Sequence, residues 1–112
     1  MADDEDDVFP ITQLVPVSEW VYYLYKVELK HSEHGEVFHT SYIASSYEGH
    51  LMGDIDDLIG RMENIWYQWE RVSDDPIGHP RVVGNLYGRP VYESGREHGQ
   101  READKRGLKY TR

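Results

Sequence analysis

The sequence predicts an α+β domain: a small antiparallel sheet with one long amphipathic helix packed on one face. Two runs rich in Tyr and Val, residues 20–30 and 36–45, flank a short polar segment that contains a glycine. Apolar residues then recur at helical spacing from 51 to 69, and short extended stretches follow up to residue 92. The expected order is therefore ββα plus one or two short strands.

The first two runs predict a hairpin, because aromatic and β-branched residues favour strands and Gly35 suits the tight loop between them. Pairing Leu29 with Phe38 collects most of the apolar side chains on one face. These are Val21, Tyr23, Tyr25, Val27, Leu29, Phe38 and Tyr42. The other face is polar except for a patch of Trp20, Tyr22, Leu24 and Ile43. If nothing covers this patch, it is expected to attract a second copy or another protein.

The helix prediction rests on a stripe of apolar residues that spans about five turns. The stripe consists of Leu51, Ile55, Leu58, Met62, Ile65 and Trp69. Asp54 is the expected N-cap, and Asp56 and Asp57 would then lie at the positive end of the helix dipole. Beyond the helix, residues 81–83 and 85–87 are predicted as extended, with a turn at 88–90.

A chain of 112 residues accommodates one domain. We expect residues 19–92 to form it, after an acidic and partly disordered N-terminal segment, 1–18. Residues 93–112 are predicted as a polar basic tail, either disordered or forming a short helix over 97–106 that orders on a partner.

Composition excludes several classes of protein. The chain has no Cys, which rules out disulfides and thiolate metal sites. Acidic residues 3–7 stand where a signal peptide needs basic ones, and no apolar run approaches the roughly 20 residues that span a bilayer. We therefore expect a cytoplasmic protein without membrane contact. No nucleophile elbow or phosphate-binding loop is present, so the sequence predicts neither an enzyme nor a cofactor.

Histidines around the hairpin turn raise the question of a metal site. His31, His34 and His39 are interspersed with Glu33 and Glu36, and imidazole and carboxylate groups at such spacing are typical metal ligands. A solvated polar loop explains the same residues more simply. The sequence leaves open whether the three histidines bind metal.

Charge is unevenly distributed along the chain. Residues 1–80 carry 17 of the 21 acids and four of the 12 bases, whereas residues 81–112 carry four acids and eight bases. An acidic body attracts basic partners and speeds association with them. The sequence therefore predicts a small acidic protein-binding inhibitor or adaptor, for example one that masks a basic nucleic-acid-binding surface. Candidate contacts are Glu28, Glu33, Glu36, Asp54, Asp56, Asp57, Glu63 and Tyr67. In size and charge the chain resembles phage anti-defence and bacterial immunity proteins, although it carries no family motif.

The alternative is a nucleic-acid-associated accessory protein that uses its basic C-terminal segment. Its candidate phosphate contacts are Arg96, Arg101, Lys105, Arg106 and Lys109. Glu93, Glu97, Glu102 and Asp104 lie in the same segment and weaken its positive field. If nucleic acid binds this chain, we expect it to bind residues 93–112.

Overall fold

The computed structural model describes residues 19–111, so the expectation for residues 1–18 lies outside the described part of the chain. The elements are β1 (Tyr23–Lys30), β2 (Val37–Ser45), α1 (Glu48–Ile59), β3 (Trp66–Arg71), β4 (Val82–Leu86), β5 (Arg89–Tyr92) and α2 (Gly95–Lys105). The α+β class and the small antiparallel sheet are confirmed. Residues 19–111 form two helices, however, where the sequence predicted one long one.

The main sheet has three antiparallel strands in the order β2-β1-β3. Leu29 lies opposite His39, and Tyr25 lies opposite Ile43. The predicted register, with Leu29 opposite Phe38, was wrong by one residue. That prediction assumed a sheet with a single apolar face, whereas this sheet is covered on both faces and so needs apolar residues on both.

Each face of the sheet has its own apolar core. On the first face, Val27, Leu29 and Ile43 pack against Leu51 and Ile55 of α1. We call this the α1 face.

On the second face, which we call the α2 face, Tyr22, Leu24, Tyr42 and Ala44 pack with Ile77 and with Ala103 of α2. Most of the apolar patch foreseen on the polar side of the hairpin is thus internal. Tyr22, Leu24 and Ile43 are buried, and Trp20 packs against the α2-face cluster.

The first helix is much shorter than the predicted five turns, and that prediction was wrong. α1 ends at Gly60, whose φ of 63° is positive, a backbone conformation that glycine adopts more readily than other residues. Six residues later the chain enters β3, where Trp66, Tyr67 and Trp69 pair with β1. Pairing with β1 places these aromatic residues on a pleated sheet surface, which suits aromatic side chains.

The predicted N-cap was also wrong. Tyr47 occupies that position, in extended backbone, and Asp54 lies well inside α1. Asp56 and Asp57 therefore lie in the last turn, which contains no basic residue. There the negative end of the helix dipole opposes them.

The second helix lies within the segment predicted to be a tail or a partner-dependent helix, and it packs on the chain's own sheet. Ser94 caps it by accepting a hydrogen bond from the Glu97 amide at 3.1 Å, while the Glu97 carboxylate accepts one from the Ser94 amide at 3.0 Å. Within residues 19–111 no helix has the length and apolar character needed to cross a membrane.

Strands β4 and β5 form a two-stranded ribbon separate from the main sheet, whereas the sequence predicted a single sheet. Extended residues were expected here, but Arg89 and Pro90, predicted as part of the turn, pair with Leu86 and Asn85. Tyr87 and Gly88 at its turn have φ values of 52° and 79°, and positive φ at both central residues is typical of a type I′ hairpin turn. At its base, the Arg81 carbonyl accepts a hydrogen bond from the Glu93 amide at 2.9 Å.

The contact between α2 and β2 can be tested at Gly99. A methyl group there would overlap the Tyr42 carbonyl group and lie 2.6 Å from the Cα of Ile43. Since these are backbone atoms that cannot rotate away, we expect Gly99→Ala to lower the free energy of unfolding by about 3 kcal/mol. Thermal and urea unfolding followed by circular dichroism measures this difference.

The matched control is Gly53→Ala, in α1, where a methyl group meets nothing within 4 Å. That change is expected to raise stability by up to about 1 kcal/mol, since alanine is the better helix former. Equal effects at the two glycines would contradict the described packing of α2.

Candidate functional site

A cleft of about 470 Å³ opens between α1, the start of α2 and the residues that precede β1. One wall consists of His50, Asp54 and Asp57, which follow one another at helical spacing along α1. The lining also contains the aromatic side chains of Trp20, Tyr22 and Tyr92, which we call the aromatic wall. The cleft thus combines carboxylates with aromatic rings.

Glycine positions provide the room for this cleft. Gly49 and Gly53 on α1 line it without side chains, as does Gly95 at the start of α2. A methyl group at Gly95 would collide with the Asp54 carboxylate and lie 2.8 Å from the Ala44 carbonyl oxygen. Asp54 is therefore held directly against the first turn of α2.

Asp54 is the most perturbed carboxyl group in the cleft. Burial raises its pKa from 3.8 to about 6, and the neighbouring Asp57 adds to the rise. The positive charge of Arg96 lowers the pKa in part and does not cancel the increase. The positive charge near Asp54 therefore does not fully offset the burial of its carboxylate and the repulsion from Asp57.

The histidines of the cleft favour the neutral state. His98 is buried, and its Nε2 lies 2.8 Å from the Gly78 carbonyl oxygen. Because a carbonyl only accepts, Nε2 must carry the proton. Burial lowers the pKa of His98, and partial desolvation also lowers the pKa of His50, whose ring centroid is 4.1 Å from that of Tyr47. Neither imidazole therefore offsets the carboxylate charge at neutral pH.

Glu93 also lines the cleft, but its charge is already balanced. Arg101 binds it through both Nε and Nη2, and the Arg81 amide donates to it at 2.9 Å. Burial alone would raise the pKa of Glu93, yet these hydrogen bonds lower it below its usual value. The charge available to a ligand is therefore that of Asp54 and Asp57.

A second buried carboxylate, Glu102, organises the basic residues of α2. It pairs with Arg101 at 3.5 Å, with Lys105 at 3.4 Å and with Arg106. Burial opposes its ionisation, but the hydrogen bond from Arg106 and the charge of Lys105 lower its pKa overall. Arg101, Lys105 and Arg106, three of the five proposed phosphate contacts, therefore form ion pairs with a carboxylate of the same chain.

The other two lie elsewhere. Arg96 interacts with Asp54 and His39, and Lys109 is exposed beyond α2.

The proposed partner-binding residues lie on different parts of the surface. Only Asp54 and Asp57 line the cleft; Asp56 is exposed on α1 outside it. Glu33 and Glu36 are exposed at the hairpin turn, and Glu63 is exposed after α1.

The remaining two candidates, Glu28 and Tyr67, lie on strands of the main sheet. Glu28 on β1 pairs with Lys26 at 3.5 Å and accepts a hydrogen bond from Gln68 at 2.7 Å. Tyr67 on β3 donates its hydroxyl to the Met52 sulfur at 3.7 Å.

Sequence reasoning identified Trp20 and Tyr22 as part of an apolar patch that could bind a partner, but it did not place them beside Asp54 and Asp57, and it did not assign His50 to that surface. The i, i+4, i+7 spacing of His50, Asp54 and Asp57 was a usable signal, since it places all three on one helix face. Trp20 and Tyr92 carried no such signal because they are distant in sequence.

The histidines of the hairpin turn make other contacts. His31 stacks on Phe38 with ring centroids 4.1 Å apart, and His34 lies 3.7 Å from the Glu33 carboxylate. In the part of the chain that the structure describes, no group of three or more His, Asp or Glu side chains could hold a metal ion.

No protein-family model, curated protein or solved structure matches this chain.

The raised pKa of Asp54 makes stability depend on pH. The folded chain holds this proton more tightly than the unfolded chain, so the free energy of unfolding falls as the pH rises from about 4 to about 6. Asp54→Asn removes that loss. Allowing for solvent screening of a half-buried group, we expect the variant to be more stable than wild type by roughly 1–2 kcal/mol at pH 7.5.

Near pH 4 the two proteins should unfold at the same denaturant concentration. Asp56→Asn, which removes the same charge from the same helix outside the cleft, serves as the control. Urea unfolding at pH 4, 5, 6 and 7.5 measures the difference, and identical pH profiles for the two variants would contradict the assignment to Asp54.

Proposed function

We propose that this chain is a small acidic protein-binding inhibitor or adaptor, and that a lysine or arginine side chain of its partner enters the cleft. The observation that carries the proposal is the pairing of Asp54 and Asp57 with an aromatic wall. Of the residues among 19–111 that line the cleft, none is Lys or Arg. The two carboxylates therefore lack a cation within the cleft lining.

Both walls suit an ammonium or guanidinium group. Aromatic faces, and those of tryptophan above all, attract cations by about 0.5–2 kcal/mol depending on desolvation. The Asp54 and Asp57 carboxylates supply charge-assisted hydrogen bonds, which are stronger than neutral ones. The same groups disfavour an anion, so a phosphate or a nucleic acid strand is a poor occupant of this cleft.

The charge of the whole chain supports the same partner. At a net charge of −9, the protein attracts basic surfaces over long range and accelerates encounter with them. A basic surface that normally holds nucleic acid would be blocked by this complex, which is how an inhibitor of this kind would act.

The β4–β5 ribbon supplies a second contact surface. Its apolar side chains are exposed, and Tyr87 at the turn is 94% exposed. Exposed apolar and aromatic groups are typical anchors of protein interfaces. A partner that inserts a cation in the cleft can also cover this ribbon.

A peptide probe tests the cleft directly. In a Trp66→Phe, Trp69→Phe background, Trp20 is the sole tryptophan and reports on the cleft by fluorescence. Acetylated, amidated tetra-arginine and tetralysine are titrated at low ionic strength. We expect a saturable change in Trp20 emission that Asp57→Asn weakens about fivefold, the effect of roughly 1 kcal/mol for one partly exposed charge.

Asp56→Asn is the matched control, because it changes net charge equally without touching the cleft. If both variants weaken binding to the same extent, attraction is non-specific and the cleft is not the site. A single-stranded oligonucleotide is titrated in parallel. Tight binding to it, lost in a Lys109→Ala, Arg96→Ala variant, would favour the nucleic-acid alternative instead.

A further inference from the structure

The two edges of the main sheet differ in what covers them. At the β2 edge, Gly95 and Gly99 of α2 press against the Ala44 and Tyr42 carbonyls. Further along the same edge, the Thr111 amide donates to the Thr40 carbonyl at 2.8 Å. At the other edge, no strand among residues 19–111 pairs with the outer side of β3.

Hydrogen bonding determines which groups of β3 point outward. The Val72 amide donates to the Leu24 carbonyl, so even-numbered residues of this strand bond toward β1. In an antiparallel ladder the bonded pairs alternate, and the amides and carbonyls of Tyr67, Trp69 and Arg71 therefore face away from the sheet. An unpaired row of this kind is a template for another strand.

Side chains make this edge apolar as well as unpaired. Trp66, Tyr67 and Trp69 are 48%, 43% and 39% exposed, although large aromatic residues usually bury more of their surface. Trp69 and Tyr67 lie on the α1 face, and Trp66 lies on the α2 face. An incoming strand would thus contact aromatic rings on both faces.

The β3 sequence is complementary to itself in one antiparallel register. With Trp69 opposite Trp69 of a second copy, Tyr67 faces Arg71 and Gln68 faces Glu70. All three outward-facing residues then form bonded pairs, whereas centring the pairing on Gln68 engages only Tyr67 and Trp69. No like charges face one another, and Arg71, already 4.5 Å from the Tyr23 ring, meets a further aromatic side chain.

We propose that β3 pairs with β3 of a second copy of this chain, related by a two-fold axis that passes beside Trp69. The dimer contains a continuous six-stranded antiparallel sheet. Each outer edge of that sheet is a β2 strand shielded by its own α2. Self-association therefore covers the one edge that the described chain leaves open.

The response to salt distinguishes the proposed dimer contact from the proposed binding of a basic partner in the cleft. Two copies each carrying a net charge of −9 repel one another, and salt screens that repulsion. Dimerisation through β3 is thus expected to strengthen as ionic strength rises. Binding of a basic peptide in the cleft is expected to weaken under the same conditions, so either proposal can fail without the other.

Disulfide trapping tests the geometry in the full chain, which has no cysteine of its own. Residues of a bonded antiparallel pair have Cα atoms about 5.5 Å apart, within the span of a disulfide. Trp69→Cys should therefore form a covalent dimer under mild oxidation. Trp66→Cys is the matched control, because the proposed register places its two copies about 20 Å apart.

Sedimentation equilibrium of the uncrosslinked protein provides the second measurement. Wild type should associate reversibly to twice the chain mass, and Trp69→Lys should weaken association about tenfold or more by placing two ammonium groups at the axis. Trp66→Lys should weaken it less. Circular dichroism establishes that each variant is folded, and the cysteine experiment decides if Trp69→Lys does not fold.

Several results would overturn the proposal. One is a wild-type protein that stays monomeric at millimolar concentration in high salt, the outcome expected if residues 1–18 occupy the edge. Another is equal crosslinking at positions 66 and 69. A third is equal weakening by the two lysine substitutions, which would place the contact on another surface such as the β4–β5 ribbon.

Discussion

The close approach of α2 to β2 is the constraint on which the rest of this structure depends. Gly95 and Gly99 bring the helix against backbone carbonyls of the strand, closer than any side chain permits. This contact shields one sheet edge, brings Ala103 into the core and positions the start of α2 as part of the cleft. Buried Glu102 with its three bases, and Glu93 with Arg101, satisfy the charges that this docking removes from water.

This constraint also explains why the C-terminal segment was difficult to interpret from sequence. Its helix has a polar composition because its stabilising contacts are small residues and internal ion pairs, not an apolar stripe. The spacing of Ser94 and Glu97 did provide a sequence signal for the start of this helix, since it is that of a capping box. The β1–β2 hairpin and a turn near Gly88 were predictable because turn residues and strand composition act locally. Register, helix length and the role of residues 66–71 were not, since they depend on which distant strand offers hydrogen bonds.

For the candidate site, the sequence provided the acids and proposed them as partner contacts, but it placed them in the wrong part of the helix. Asp54, Asp56 and Asp57 were expected to stabilise a helix start, where the dipole favours negative charge. In the structure Asp56 and Asp57 lie in the last turn of α1, where the dipole opposes them, whereas Asp54 lies well inside α1 and burial raises its pKa. The dipole of α1 therefore disfavours the charge of Asp57, and burial disfavours that of Asp54, which supports the proposal that a cation of a partner binds both carboxylates.

Acidic charge and an open strand edge also act together. An exposed aromatic edge invites indiscriminate strand pairing, and charge is a common means of discouraging it. Here the repulsion between chains that each carry −9 limits association to an edge pairing favourable enough to overcome it. A self-complementary register centred on Trp69 meets that demand, since it satisfies every outward backbone group and places no like charges opposite one another. The negative charge that attracts a basic partner to the cleft would thus also restrict which strands can join the β3 edge.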